Sequence, residues 1–382
     1  MELEFTTDQD ELRDGIRAVL ERECTPASVR ELVEQRARGV EAAPESLWRH
    51  MVELGWPGLT VPEAAGGIGL GTVELIVLAE ELGRVIAPGP LLPTVSQFVA
   101  AVVEAGDPDQ QVRLLEPVAT EGATGSLAVF ERDADDPGQV TTTATPAGDG
   151  WVLDGEKPWV LEAPAVDRLV VVARIPDTTG DEGVGAFVVS TDAPGVTITP
   201  IADFDLTRSA GTVSLQGVTV AAADGLGEPG PDVAAAMRRA IETATAALAV
   251  ETVGVVQTIF DVSLDYAKER EQFGVPIGSF QAIKHKFADM AVMIERARAM
   301  GYFAALTIAE DDERRSLATS MAKAAAGDAE RLVAKEGIQI HGGIGYTWEH
   351  NMHIYVRRAK ANAAMFGTAA VHRGRVADLL AW

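Results

Sequence analysis

Residues 266–290 read Tyr266-Ala-Lys-Glu-Arg270-Glu-Gln272-Phe273-Gly274-Val-Pro-Ile-Gly-Ser-Phe280-Gln281-Ala-Ile-Lys-His-Lys-Phe-Ala-Asp289-Met290, and residues 339–349 read Gln339-Ile-His341-Gly342-Gly343-Ile-Gly345-Tyr-Thr-Trp-Glu349. In the first stretch a helical pattern runs to Arg270, breaks over Gly274, Pro276 and Gly278, and is followed by a second helical pattern from Ile283. An arginine at a helix end, before a Gly-Pro-Gly loop, is a fixed cation suited to a phosphate. In the second, Gly342-Gly343 after a helix lets backbone approach a ligand closely. Either alone also serves as a plain helix stop. Beyond the first break, Ile283, Phe287, Met290, Ile294 and Ala297 step by three and four, the apolar stripe of one helix face.

Outward from these segments the chain falls into three zones. Ala-rich stretches at 234–250 and 318–334 suit closely packed helices, so 232–382 reads as a C-terminal helical bundle. Residues 122–231 carry short β-rich runs, among them Ser126–Phe130, Arg168–Ala173, Gly185–Val189 and Thr212–Leu215, separated by turn clusters such as Asp135-Asp-Pro-Gly138. Strands at this density without intervening helices predict an antiparallel middle β-domain, barrel or sandwich. Residues 1–121 again show helical spacing, as at Leu75, Leu78, Ala79 and Leu82. The order is α, β, α, an α+β chain, and 382 residues accommodate it at about 100–200 residues per domain.

Acidic residues outnumber basic ones 57 to 32, a net charge of −25. Such a surface repels polyphosphate, which argues against nucleic-acid or anionic-membrane partners. The single cysteine, Cys24, forms no intrachain disulfide and no cysteine metal cluster, which fits a reducing cytoplasm. The acidic N-terminal stretch is unlike a signal peptide, and no apolar run approaches the roughly 18 residues of a membrane span.

Two motifs have plain readings. Gly66-Gly-Ile-Gly-Leu-Gly71 has the glycine spacing of a dinucleotide fingerprint but no strand before it, so it reads as a turn before a helix. His350 and His353, near His341 and Glu349, could share a helix face. No second carboxylate or cysteine completes a ligand set, and no metal site is expected.

Taken together, the two opening stretches resemble the acyl-CoA dehydrogenases, and the resemblance covers essentially the whole chain. Leu54-Gly-Trp-Pro-Gly-Leu-Thr-Val-Pro62 and Glu80-Glu-Leu-Gly83-Arg are similar to that family's N-terminal helical domain, and Asp154-Gly-Glu-Lys157-Pro-Trp159-Val and Arg208-Ser-Ala-Gly-Thr212-Val are similar to its middle β-domain. The match is of a bacterial, actinobacterial type. The resemblance implies an N-terminal helical domain, a β-domain and a C-terminal four-helix bundle. It also implies FAD held between subunits, with Arg270 facing the pyrophosphate. Gln272, Phe273, Gln281, Gln339, Gly342 and Gly343 would line the rest of the adenosine diphosphate, and Thr368 is a further implied cofactor contact. An acyl-CoA substrate, an electron-transfer-flavoprotein-like acceptor and a homo- or hetero-tetramer are likewise implied.

Three positions depart from the family pattern. Where the family has Thr-Glu-Pro over the flavin ring, this chain has Phe130-Glu131-Arg132; where it has Trp-Ile-Thr, this chain has Trp159-Val160-Leu161. The usual catalytic Glu precedes a Gly-Thr pair, and here Phe366 stands before Gly367-Thr368. Members that carry the base on the first long C-terminal helix would have it at Ala244. Removing the α-proton of a thioester requires a carboxylate within hydrogen-bond reach, and Phe366 cannot accept a proton. Glu251, two turns from Ala244 on the same helix, is the first acid to test as base; its plain alternative is a helix-surface or interhelix acid.

Two functions follow as expectations. One is a FAD-dependent acyl-CoA dehydrogenase of fatty or steroid side chains, with its base relocated or supplied by a partner as one subunit of a hetero-oligomer. The other is a non-catalytic subunit that lends only neighbour-side FAD contacts to a second dehydrogenase chain. A monooxygenase or nitroalkane oxidase on the same fold is a third, which no residue selects.

Overall fold

The computed structural model describes residues 5–40, 44–132 and 135–381. The N-terminal part is helical: α1 (Thr7–Glu23), α2 (Pro26–Ala37), α3 (Glu45–Glu53), α4 (Thr72–Arg84), a short α5 (Leu91–Pro93) that runs through a π-turn into α6 (Val99–Ala105), and α7 (Pro108–Glu121). Local sequence starts and stops these helices. Thr6 and Asp107 cap α1 and α7 in capping boxes with Gln9 and Gln110, and Gly122 ends α7 in the left-handed conformation.

Seven strands follow: β1 (Gly125–Ala128), β2 (Thr143–Ala147), β3 (Gly150–Leu161), β4 (Arg168–Arg174), β5 (Val184–Ser190), β6 (Val196–Pro200) and β7 (Ala210–Val220). They form one sheet in the order β1-β4-β2-β3-β7-β6, with β5 pairing β4. The sheet is not wholly antiparallel, as the turn spacing suggested. β1 runs parallel to β4, Gly125 opposite Arg168, and β2 meets β4 in one parallel pair. β4 and β5 are buried along almost their whole length, because the sheet is covered on both faces.

The C-terminal part contains α8 (Pro231–Glu269), the β8–β9 hairpin (Glu271–Gln272 with Val275–Pro276), α9 (Gln281–Ala309), α10 (Arg315–His341), α11 (Met352–Ala364) and α12 (Ala369–Leu379). Phe287, Met290, Ile294 and Ala297, from the stripe that marked α9, are buried. By length and composition α8 does pass as a membrane span, contrary to the expectation above, but 67% of its most apolar window is buried within the fold. That is the signature of a central bundle helix. At its crossing with α4, a Cβ on Gly83 would sit 2.1 Å from the Glu251 carbonyl oxygen, and one on Gly254 would sit 2.0 Å from that of Glu80. Only glycine permits this approach. The Gly66–Gly71 segment is a loop ahead of α4, with Gly66 and Gly69 at positive φ and a 3-10 turn rather than a strand before it.

Candidate active site

A cavity of about 710 Å³ opens between the middle domain and the C-terminal helices. The sheet side supplies Leu127, Phe130, Glu131, Trp159 and Leu161; the loop before β7 supplies Asp203 and Phe204. α11 and the turn after it contribute Ala361, Ala364, Met365, Phe366 and Gly367, and Arg132, Lys360 and Arg375 put cations on its lining. The Phe130 and Phe366 rings meet edge to face, 5.5 Å between centroids. Phe366 has φ 54° and Gly367 φ 97°, so the turn between α11 and α12 uses the left-handed region twice.

That turn is held by backbone contacts. Lys323, buried on α10, donates from Nζ to the carbonyl oxygen of Asn362 at 2.9 Å, and His372 Nε2 lies 2.9 Å from the Phe366 carbonyl oxygen. Burial pulls the Lys323 ammonium down to about 8 and the His372 imidazole to about 4. The hydroxyl of Thr368 accepts from the Val371 amide and caps α12.

Among the described residues three acids line the cavity: Glu131, Asp135 and Asp203. Glu131 accepts from Lys157 Nζ at 2.7 Å and from the amides and hydroxyls of Thr141 and Thr142. Burial alone would lift its carboxyl, but Lys157 and the threonines outweigh it and hold it at about 2, too acidic to act as a base. Asp135 pairs with Arg375 at 3.3 Å. Asp203 accepts the Asp205 amide at 3.3 Å and has no cation partner among the described residues. Nothing in the sequence around Asp203 marks it as a cavity acid.

Glu251 is not on the cavity wall. It is 1% exposed and both its oxygens are taken, by Arg208, by Arg358 Nη1 at 2.7 Å and by Asn362 Nδ2 at 3.0 Å. A carboxylate so engaged cannot reach a proton in the cavity, which corrects the expectation of Glu251 as base. Ala244 is also buried and does not line the cavity.

The predicted cofactor residues gather elsewhere. Arg270 is the residue after α8, exposed, with no side-chain partner among the described residues. The following hairpin turns on Phe273 and Gly274, φ 57° and 79°, the signature of a type I′ turn. Tyr266 stacks on His341 at 4.5 Å, which joins the end of α8 to the end of α10. Gln272, Gln281, Gln339, Gly342 and Gly343 are exposed, and a Cβ at either glycine would meet nothing within 4 Å. Phe273 is 94% exposed and Tyr346 76%, an uncovered aromatic rim. Thr368 stands apart from this face, beside the cavity. His341 and His350 rings lie 4.8 Å apart; among the described residues no group of three or more His, Cys, Asp or Glu could hold a metal.

Comparison with known proteins agrees along the whole chain. Family profiles match for the acyl-CoA dehydrogenase N-terminal domain over residues 6–122, the middle domain over 126–218 and the C-terminal domain over 233–381. The probable acyl-CoA dehydrogenase YngJ of Bacillus subtilis is 33% identical over 380 residues, 98% of each chain. The chain belongs to the acyl-CoA dehydrogenase family. Its members are oxidoreductases acting on CH–CH donors. Among solved acyl-CoA dehydrogenase-like structures, a chain of the ChsE4–ChsE5 complex of Mycobacterium tuberculosis superposes with TM-score 0.88, at 27% identity over 100% of this chain and 99% of that one. The Tcur3481–Tcur3483 steroid ACAD gives 0.86, at 33% identity over 98% of each. An FAD-dependent dehydrogenase gives 0.87, at 26% identity over 100% of each.

Against the cofactor of this acyl-CoA dehydrogenase family, the two regions differ in fit. The Arg270 face offers a free guanidinium and open glycine backbone, which suits an adenosine diphosphate. The cavity has Phe130 and Leu161 where the family pattern has hydroxyls, and Leu161 is packed with Leu248 and Met365. It does not fit the polar edge of a flavin ring.

Proposed function

We propose that this chain is one subunit of a hetero-oligomeric, FAD-dependent acyl-CoA dehydrogenase, and that a second chain supplies the catalytic base. The observation that carries the reading is Phe366. It occupies the base position and packs on Phe130, and no acid on α11 or α12 lines the cavity. The exposed Arg270 face supports the complementary half: it would seat the adenosine diphosphate of an FAD whose ring lies against the second chain. Bound there, FAD would accept the hydride leaving the β-carbon of the acyl group. This chain would hold the pyrophosphate through Arg270 and cover the adenosine with Gln272, Phe273, Gln281 and Gln339. The resemblance to the paired-chain structures supports hetero-oligomeric assembly. The aromatic cavity and the similarity to a steroid ACAD support a bulky fatty or steroid acyl-CoA. A cytoplasmic location and an electron-transfer-flavoprotein-like acceptor go with this reading.

The test is flavin content and turnover of the purified chain, alone and with its partner dehydrogenase chain. Alone it is expected to carry well under one FAD and to be inactive; together, activity and flavin appear. A lone chain with one FAD that oxidises acyl-CoA at about 1–10³ per second overturns the proposal, and Asp203 then becomes the first base to replace.

A further inference from the structure

We infer that Glu251 is a positioning residue that locks two walls of the cavity together. One wall is the loop carrying Asp203 and Phe204; the other is α11, carrying Ala361 and Ala364. Behind both walls lies a buried charge network. On the loop, Asp205 accepts from Arg358 Nε at 2.6 Å and Arg208 Nη1 donates to Asn362 Oδ1 at 2.7 Å. On α11, Arg358 and Asn362 stand four residues apart and so share a helix face. Glu251 reaches across from α8 to Arg208 on the loop and to Arg358 and Asn362 on the helix. Of these side chains it alone comes from neither wall.

Glu251 and Asp205 stand against Arg208 and Arg358, all four at most 6% exposed. Glu162, which accepts from Ser209 on the same loop and acts on Arg208, and Arg36, which acts on Asp205 and Arg358, add one further charge of each sign, so the set balances. Neutralising Glu251 leaves the set with one positive charge in excess, and a buried unpaired charge is strongly unfavourable. The two guanidiniums that Glu251 holds sit on loop and helix, so the relief available is for those two to part. The cavity wall carrying Asp203 and Phe204 would move with the loop.

The inference rests on the proposed function only in the choice of acyl-CoA as probe. In the full chain, Glu251→Gln is expected to raise hydrogen exchange about tenfold or more in residues 203–209 and 357–364, leaving β5 unchanged. Octanoyl-CoA affinity, followed by tryptophan fluorescence with Trp159 in the cavity, should fall by about tenfold or more, as for a lost buried charge pair. The pair Glu251→Gln/Arg208→Gln restores charge balance and should recover most of both. If Glu251→Gln does not fold, Glu251→Asp, which keeps the charge on a shorter arm, should show the same local pattern more weakly. Exchange that is unchanged or uniformly raised, or a double variant no better than the single one, overturns the inference. Turnover abolished with wild-type exchange and affinity would also overturn it and return Glu251 to the role of base. If the wild-type chain does not bind octanoyl-CoA, the acyl-CoA reading fails, and the exchange result still decides this one.

Discussion

Glu131→Gln isolates the buried cation beneath the cavity. Lys157 is fully buried on β3, and its Nζ has two partners, Glu131 Oε1 at 2.7 Å and the Val129 carbonyl oxygen at 3.1 Å. Burial already pulls its ammonium down from 10.5 to about 8, with Glu131 offsetting part of the cost. Without the carboxylate, Lys157 folds neutral or folds unpaired. Neutralising it near pH 7, against 10.5 in the unfolded chain, costs about 5 kcal/mol at 1.36 kcal/mol per pH unit; the wild type, with its ammonium already at about 8, bears about 3.4 of this, so the variant's deficit by this route is about 1.4 kcal/mol. Folding with the ammonium kept and unpaired would cost the roughly 3–5 kcal/mol typical of breaking a buried ion pair, so neutralisation is the cheaper route and sets the deficit.

The sign of the pH dependence follows. In the variant the folded state binds fewer protons than the unfolded state between the lowered Lys157 value and 10.5, so its stability rises with pH across that window. By about pH 9.5 neutralisation costs only about 1.4 kcal/mol, and the wild-type lysine is then neutral too, so the two chains converge. On the acid side, Glu131 lies below its ordinary value. The wild type therefore holds this stabilisation above pH 4.5 and loses it as pH falls towards 2. Urea unfolding followed by circular dichroism at both pH values measures the difference. Glu131→Gln/Lys157→Met, which removes both charges, should recover most of the loss. A deficit below about 1 kcal/mol near neutrality that persists unchanged at high pH would refute the reasoning.

Two further outcomes are expected. Arg270→Ala removes a charge-assisted contact of about 1.5–3 kcal/mol, so FAD retention by the assembled enzyme should weaken by roughly 10- to 150-fold; equilibrium dialysis checks this, and unchanged retention removes Arg270 from the cofactor site. Gly83→Ala and Gly254→Ala each drive a methyl into a carbonyl oxygen across the α4–α8 crossing. Each should cost at least the roughly 1–3 kcal/mol of overpacking and lower the melting temperature, whereas Gly148→Ala, at a positive-φ turn with nothing within 4 Å, should show only its smaller backbone strain.

What could be read from the chain was local in origin. The α9 stripe and the strand runs each depend on residues within a few positions of one another, and each appears in the structure near where it was expected. Strand partners were not legible: β-rich composition shows that Arg168–Ala173 is a strand but not that β1 lies parallel to it. Glu251 shows the same limit at the site. Its partners lie 43, 107 and 111 residues away in sequence, so no spacing rule marks it as a network acid rather than a base. The paired ions Lys157 and Glu131 both fall within quoted motifs, yet only the fold brings their side chains together.

The turn at Phe366 explains how the chemistry of this position can change without the fold changing. Lys323 and His372 hold backbone carbonyls, and Thr368 caps the next helix through an amide. None of these contacts involves the side chain at 366, so the turn presents either a carboxylate or a ring at the same place. The Arg270 face is independent of that choice, because none of its residues lines the cavity. On the proposed reading, a site divided in this way would keep its phosphate-binding half on this chain while another chain supplies the proton acceptor. A second chain with a working base would therefore complement this one through a face whose aromatic rim is still uncovered.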